Sequence, residues 1–113
     1  MEEKYKKMKR EKKTRNMFRL SKAADTLSSS IALKYKLSRP DLVALAIDTV
    51  EQGHINICTV PSIEDAVNGR LTILAVAGLD KYHNQKLKEL ADTSGISKSE
   101  VIRRLIGLIY NFG

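Results

Sequence analysis

The side chains in this sequence that could do chemistry are mainly cations, and they are concentrated at the start of the chain. Residues 1–16, MEEKYKKMKREKKTRN, contain eight lysines and arginines against three glutamates, and the whole chain of 113 residues has a net charge of +7. Ammonium and guanidinium groups neutralise phosphate and release counterions from nucleic acid. This basic arm therefore predicts a nucleic-acid contact. A solvated tail without a ligand would have the same composition and stays open as the alternative.

A second set of cations alternates with apolar residues immediately after the arm. In the stretch RNMFRL, Phe18 and Leu20 occupy one set of alternating positions, and the other set contains Arg15, Met17 and Arg19. Strict alternation is typical of a half-buried strand, whose successive side chains point to opposite faces. We therefore expect a short strand with Phe18 and Leu20 against the core and the two arginines facing away from it.

Other reactive side chains are few. His54 and His83 have no cysteine or carboxylate neighbours at ligand spacing, so each is interpreted as a surface or partly buried histidine, and no metal is expected. Cys58 lies in an apolar run and is interpreted as a small hydrophobic residue; a single cysteine fits a reducing, cytoplasmic compartment. The sequence has no glycine-rich phosphate loop, nucleophile elbow or convincing carboxylate pair. It therefore predicts neither an enzyme nor a cofactor site.

Helices must position these cations, and their start signals are clear in the first half. Ser21 is expected to cap a helix that runs to about Tyr35. Ser38 starts a second helix, Asp41 completes its capping box three residues later, and Gly53 ends it. No apolar run approaches the ~20 residues that a membrane span needs, so no membrane partner is expected.

The second half has the same order of signals. Residues 70–79, RLTILAVAGL, favour a strand, and Asp80 is expected to cap the helix that follows. Gly95 closes that helix, and Ser97 with Glu100 opens the last one. Between the halves lies an ordered connector. Its stretch HINICTV is expected to be extended, and Ser62 with Asp65 is expected to cap one helical turn.

Shifting the sequence by 59 residues aligns the two halves without a gap, so the chain is interpreted as an internal repeat. One short strand has no partner within its own repeat, and two copies can pair their strands and interlock their helices. The expected fold is mainly α with short β, a two-stranded antiparallel ribbon over four helices that forms an intramolecular pseudo-dimer. The expected divisions are a basic arm 1–13, a first motif 14–53, a connector 54–69 and a second motif 70–113.

The stretch LKELADTSGISKSEVIRRLI, from Leu87 to Ile106, has a helix, a glycine turn, a Ser-Lys-Ser-Glu helix start and an aliphatic final helix. In this it resembles the ribbon-helix-helix transcription regulators, the group of MetJ, Arc and CopG-like repressors. The likeness covers about residues 14–53 and 70–113. A tandem pair in one chain is similar to small regulators from archaea and their viruses.

The first half departs from this pattern at two positions. Lys36 stands where the second half has Gly95, and Pro40 stands where it has Ser99. These departures leave the second half as the part of the chain that is more similar to the family.

The resemblance implies that outward side chains of the ribbon read base edges in the DNA major groove. Arginine suits this role because its fork can bond guanine O6 and N7 together. Solvated edge charges are the alternative interpretation. The outward residues of the second strand are nearly all apolar, so they contact thymine methyl groups or, as we expect, are covered by protein, either the connector or another molecule. Self-association through the second motif is one form that such covering would take. The predicted base-reading residues are Arg15, Met17, Arg19, Thr72, Leu74 and Val76.

The resemblance also implies phosphate anchors at the start of the second helix of each motif, where free N–H groups and the helix dipole favour an anion. Simple helix capping is the alternative for the serines, and the two roles are compatible. The arm would add contacts that do not depend on sequence. The predicted phosphate-binding residues are Ser38, Arg39, Ser97, Lys98, Lys9, Arg10, Lys12 and Lys13.

The function expected from these residues is a sequence-specific, double-stranded DNA-binding transcriptional regulator without cofactors. Its expected partners are DNA, further copies of itself and, as a candidate, the transcription machinery. The alternative is a protein that coats or packages nucleic acid without sequence choice. An interaction module of the antitoxin kind is a third reading, and the end of the sequence at Phe112-Gly113, almost on the last helix, disfavours it.

Overall fold

The structure is a computed structural model that describes residues 13–67 and 69–112 of the 113-residue chain. Lys13 is therefore the one residue of the predicted arm for which a position can be given. The predicted phosphate-binding residues Lys9, Arg10 and Lys12 lie outside the described residues.

The described part of the chain is mainly helical, with one two-stranded antiparallel sheet, as the sequence predicts at this coarse level. A strand followed by two helices occurs before the connector and again after it. The bounds are β1 Thr14–Leu20, α1 Lys22–Lys34, α2 Arg39–Gly53, β2 Ile73–Leu79, α3 Lys81–Ser94 and α4 Lys98–Phe112. None of these helices is long and apolar enough to cross a membrane.

The two strands pair about a symmetric centre. Met17 of β1 lies opposite Val76 of β2, and Val76 is the residue that follows Met17 by 59 positions. Arg15 lies opposite Gly78, and Arg19 lies opposite Leu74. Since the central pair joins residues 59 positions apart, and each strand is followed by two helices, the strands are related as they would be by a twofold axis through that pair.

The two halves share one core. The inward faces of the strands bury Phe18 and Leu20 from β1, and Ala77 and Leu79 from β2. The second helix of each half packs against the strand of the other half, because α4 contacts β1 and α2 contacts β2. This exchange explains how two short strands and their helices exclude water that neither half could exclude alone.

Serine side chains begin three of the four α-helices in the described part. Ser21 Oγ accepts a hydrogen bond from the Ala24 N–H, Ser38 Oγ from the Asp41 N–H and Ser97 Oγ from the Glu100 N–H. The predicted helix caps at Ser21, Ser38 and Ser97 are therefore confirmed. Asp80 is the N-cap residue of α3, as predicted, but its carboxylate bonds His83 and accepts no hydrogen bond from the backbone of the first turn of the helix.

The end of the first helix in each half has the same backbone conformation. Gly95 follows α3 with a φ of 69°, and Lys36, its equivalent in the first half, follows α1 with a φ of 57°. A left-handed conformation suits glycine, whereas a lysine adopts it only at a cost in free energy. The departure in sequence at Lys36 therefore leaves the shape of the turn unchanged.

The connector between the halves is ordered and packed. Ser62 and Asp65 form the predicted capping box around the 3₁₀ turn Ile63–Ala66. The prediction of an extended stretch is wrong, because Ile57–Thr59 forms another 3₁₀ turn. The Asn56 side chain begins this turn by accepting from the Cys58 N–H.

The lone cysteine lies within this 3₁₀ turn, and its surroundings differ from those predicted. Cys58 is exposed, which does not fit its interpretation as a small hydrophobic residue within an apolar run. Three other residues of the connector, Ile57, Val60 and Ile63, are buried in the core instead.

Candidate nucleic-acid interface

The outer face of β1 presents two arginines to solvent. Arg15, Met17 and Arg19 alternate with the buried residues of the strand, and Met17 is 59% exposed. Neither arginine side chain makes an ion pair or a hydrogen bond with another described residue. Both guanidinium groups are therefore available to an external acceptor, such as a base edge or a phosphate.

The outward residues of β2 differ from the prediction because the strand begins at Ile73. Leu74 is 51% exposed and Val76 is half-buried on the same face as the arginines. Thr72 precedes the strand, so its predicted place on the paired ribbon is wrong, and Gly78 occupies the third outward position.

The start of α1 explains why Thr72 is unpaired. By the register of the ribbon, the partner of Thr72 would be Ser21. Ser21 already caps α1, and its backbone N–H donates to Glu64 Oε2 over 2.8 Å. The pairing therefore ends at Leu20 and Ile73.

At one end of the ribbon, Lys13 crosses the space above Gly78. A Cβ placed on Gly78 would lie 3.4 Å from Lys13 Cβ, which is ordinary van der Waals contact. The Lys13 side chain is 18% exposed, and its Nζ lies 3.7 Å from Oδ1 of the buried Asp41 in the first turn of α2. This predicted phosphate ligand is thus directed toward a carboxylate, and its charge offsets that of a buried group.

The start of α4 flanks the middle of the ribbon. Ser97 and Lys98 are exposed, and the Ser99 hydroxyl donates to the Met17 carbonyl oxygen over 3.4 Å. Ser97 caps the N–H of Glu100, but a helix start has further N–H donors in its first turn. Those donors and the helix dipole favour an anion beside the ribbon. Capping and anion binding are compatible here.

The start of α2 is less open. Ser38 and Arg39 are half-buried, and Arg39 Nη2 donates to Asp25 Oδ1 over 2.6 Å and to Ser29 Oγ over 2.8 Å. The guanidinium is thereby held against α1. Of the two predicted phosphate sites, the one at Ser97 and Lys98 has its cation exposed, and the one at Ser38 and Arg39 has its cation in an ion pair.

Two arginines of α4, which the sequence analysis did not single out, hold the ribbon and the connector in place. Arg103 Nη1 donates to the Arg19 carbonyl oxygen over 3.1 Å, and Arg104 Nη1 donates to the Cys58 carbonyl oxygen over 2.8 Å. Both side chains also bond the Glu100 carboxylate. Spacings of three and four residues after Glu100 were the sequence signal for these pairs.

The same arginines explain why the predicted box at the start of α4 is incomplete. Only the Ser97 half of the box forms, because Arg103 and Arg104 take both oxygens of the Glu100 carboxylate. Each guanidinium combines a hydrogen bond with an ion pair, which a neutral backbone N–H cannot offer the carboxylate.

Asn16 anchors the underside of the ribbon. It is 7% exposed, and its Nδ2 donates to the Ala77 carbonyl oxygen over 3.2 Å and to Asn84 Oδ1 over 3.0 Å. These bonds join β1 to β2 and to α3. An asparagine at an inward strand position, where an apolar residue is the norm, was the signal for this role.

A buried histidine joins the two halves at their helices. His83 of α3 is 3% exposed; its Nε2 lies 2.9 Å from Asp48 Oδ1 in α2, and its Nδ1 lies 2.5 Å from Asp80 Oδ1. Burial lowers the pKa of His83, but the hydrogen bonds to Asp48 and Asp80 outweigh it and leave the pKa above its ordinary value. Since both ring nitrogens are used, His83 has no lone pair for a metal, and no metal-binding cluster exists among the described residues.

A second polar contact between α2 and α3 lies at the surface. Glu51 accepts from Tyr82 Oη over 2.6 Å and pairs with Lys86 Nζ over 2.9 Å. The Tyr82 hydrogen bond, and then that of Lys86, lower the pKa of Glu51. The bond to Glu51 raises the pKa of Tyr82 and of Lys86. These contacts join α2 to α3 at the surface below the ribbon.

The chain matches no protein-family model, no curated protein and no solved structure. A conclusion about its function therefore depends on the geometry and charge of its own surface, above all on the outer face of the ribbon.

Proposed function

We propose that this protein is a sequence-specific, double-stranded DNA-binding transcriptional regulator of the ribbon-helix-helix type, with two tandem motifs in one chain and a DNA-associated, cytoplasmic location. The observation that carries the proposal is the exposure of Arg15 and Arg19, without described partners, on the outer face of a two-stranded ribbon.

The dimensions of the ribbon fit the major groove. Paired strands lie about 4.8 Å apart, and the groove is about 12 Å wide. Arg15 and Arg19 are separated by four residues of one strand, or about 14 Å, which is about four base-pair steps of duplex DNA. Each guanidinium can bond O6 and N7 of one guanine. The two arginines are therefore spaced to read separate base pairs within one groove segment.

The surroundings of the ribbon support a role on DNA. The start of α4, with Ser97 and Lys98 exposed, lies beside the ribbon, where it can hold a backbone phosphate. The basic arm leads directly into β1, so it can add phosphate contacts next to the base-reading residues. Contacts of this kind position a protein on the duplex, whereas the arginines specify the sequence.

Self-association through the outer face of β2 would compete with base reading. Leu74 lies opposite Arg19, so a protein that covered Leu74 would also cover that arginine. The ribbon face cannot serve both partners at once. We therefore assign the ribbon face to DNA, and any self-association to other surfaces of the second motif.

A gel-shift series tests the proposal with a duplex selected from random fragments and with scrambled duplexes, at two salt concentrations. We expect the selected duplex to bind at least tenfold more tightly than the scrambled ones, because non-specific binding lacks the base contacts. Arg19→Ala should remove about 1–3 kcal/mol of discrimination at one base pair. Lys88→Ala, which removes a cation from α3, is the matched control and should leave discrimination unchanged.

Equal affinity for selected and scrambled duplexes, with a steep loss of binding at high salt, would favour a nucleic-acid-coating protein over a regulator.

A further inference from the structure

We propose, on the basis of the DNA-reading function above, that the ribbon recognises a non-palindromic site. In this site the end of the ribbon with Arg19 and Leu74 reads a guanine beside a thymine. The end with Arg15 and Gly78 reads a guanine without a base preference beside it.

The backbone of the ribbon is symmetric but its outer side chains are not. The central pair, Met17 and Val76, joins equivalent positions of the repeat. Under the same relation Arg15 corresponds to Leu74, and Arg19 corresponds to Gly78. A truly twofold ribbon would present the same two side chains at each end. This ribbon instead presents arginine and leucine at one end, and arginine and glycine at the other.

Leu74 is placed to contact a thymine methyl group. It is 51% exposed on the outer face and lies directly opposite Arg19. Side chains of opposite residues in an antiparallel pair are about 5 Å apart, which is between one and two base-pair steps of about 3.4 Å. Thymine is the base that presents a methyl group in the major groove, and apolar side chains recognise it by contact. A guanine bound by Arg19 would thus bring an adjacent base pair to Leu74.

The other end of the ribbon has no equivalent contact. Gly78, opposite Arg15, has no side chain, and the stem of Lys13 fills the space above it. The ammonium of Lys13 is directed to the buried Asp41, away from the position of a base. This end therefore offers the Arg15 fork alone for base reading.

The experiment is a selection of bound duplexes from a random pool, with the intact chain and three variants. For the unaltered chain we expect an enriched site that differs from its reverse complement, with guanine in both halves and thymine in one. Leu74→Ala should abolish the thymine preference and keep both guanines. Leu74→Arg, which restores the equivalent of Arg15, should replace thymine by guanine. Leu71→Ala removes an exposed leucine just outside the strand and should leave the site unchanged.

A direct test of the methyl contact replaces that thymine by deoxyuridine, which lacks only the methyl group. We expect affinity to fall about fourfold for the unaltered chain, as for one buried carbon. The same replacement should have no effect on Leu74→Ala, so the pair forms a double-mutant cycle.

The outcomes separate the two proposals. Failure to enrich any sequence would overturn the DNA-reading function and this inference with it. An enriched palindrome, a thymine preference that survives Leu74→Ala, or equal binding of thymine and deoxyuridine duplexes would overturn the inference alone.

Discussion

Lys36 and Gly95, which are 59 residues apart, hold the same left-handed backbone conformation at the end of the first helix in their halves, with φ values of 57° and 69°. The turn between the two helices therefore has the same shape in both halves. In the first half, however, a residue with a side chain occupies the left-handed position. A left-handed conformation costs a residue with a Cβ about 1–2 kcal/mol.

The first prediction is that Lys36→Gly stabilises the protein by about 1 kcal/mol. Glycine removes the cost of the left-handed conformation in the folded state, but it also makes the unfolded chain more flexible, which offsets part of that gain. Urea unfolding followed by circular dichroism measures the change. Lys88→Gly, at an exposed position inside α3, is the matched control and should destabilise by about 1 kcal/mol. Destabilisation by Lys36→Gly would contradict the assigned turn.

The second prediction concerns the pH dependence of stability. The pKa of His83 is raised in the folded state by Asp48 and Asp80. A raised pKa means that the charged histidine stabilises the fold fully below its unfolded pKa of about 6.5, and that this contribution is lost as the pH rises through the folded pKa. We expect the urea midpoint to fall as the pH rises above the unfolded pKa of about 6.5.

Two variants separate His83 from other titrating groups. His83→Gln should remove this pH dependence and destabilise by about 3–5 kcal/mol, since it leaves buried carboxylates without their cation. His54→Asn changes an exposed histidine at the end of α2 and should keep the dependence. A urea midpoint in the unaltered chain that does not vary as the pH rises above the unfolded pKa of histidine would show that His83 does not gain its charge on folding.

The third prediction tests the close approach of α4 to the connector. A Cβ on Gly107 would lie 2.1 Å from the Pro61 carbonyl oxygen and 2.9 Å from the Ile63 nitrogen. Because backbone atoms cannot move aside as a side chain can, Gly107→Ala should destabilise by about 1–3 kcal/mol despite the better helix propensity of alanine. The control is Gly78→Ala, whose Cβ meets only the Lys13 side chain, with an expected change within about 0.5 kcal/mol.

The fourth prediction concerns the open helix start beside the ribbon. Lys98→Ala should weaken binding to selected and scrambled duplexes alike and reduce the slope of log affinity against log salt by about 1, because one phosphate contact is lost. Equilibrium titrations at four salt concentrations measure both quantities. A change in sequence preference with an unaltered salt slope would indicate a base contact at Lys98 instead.

Local interactions explain what could be predicted of the fold. The starts of α2 and α4 at Ser38 and Ser97 depend on a side chain and an N–H group three residues away, so the sequence contains both partners. The inward direction of Phe18 and Leu20 follows from alternation along one strand. The pairing of β1 with β2 could be predicted as well, because a lone strand needs a partner and the sequence predicts a second strand within residues 70–79.

Competition among distant groups explains what could not be predicted. The place of Thr72 depends on Ser21, which turns away to cap α1 and ends the pairing. The direction of Lys13 depends on Asp41, which is buried only once α2 packs below the ribbon. Each outcome involves atoms that the sequence separates by many residues.

The sequence by itself determined the two strands and four α-helices of the described residues, their order and the alternating faces of β1, because these depend on propensity, capping and periodicity over a few residues. Tertiary structure decided which charges remain exposed. Packing of α2 against α3 enclosed Asp48 with His83, and packing of α4 against β1 engaged Arg103, while Arg15 and Arg19 kept their guanidinium groups in solvent. The physical reason is that a buried charge needs a partner, and only the folded chain determines which partners lie within reach.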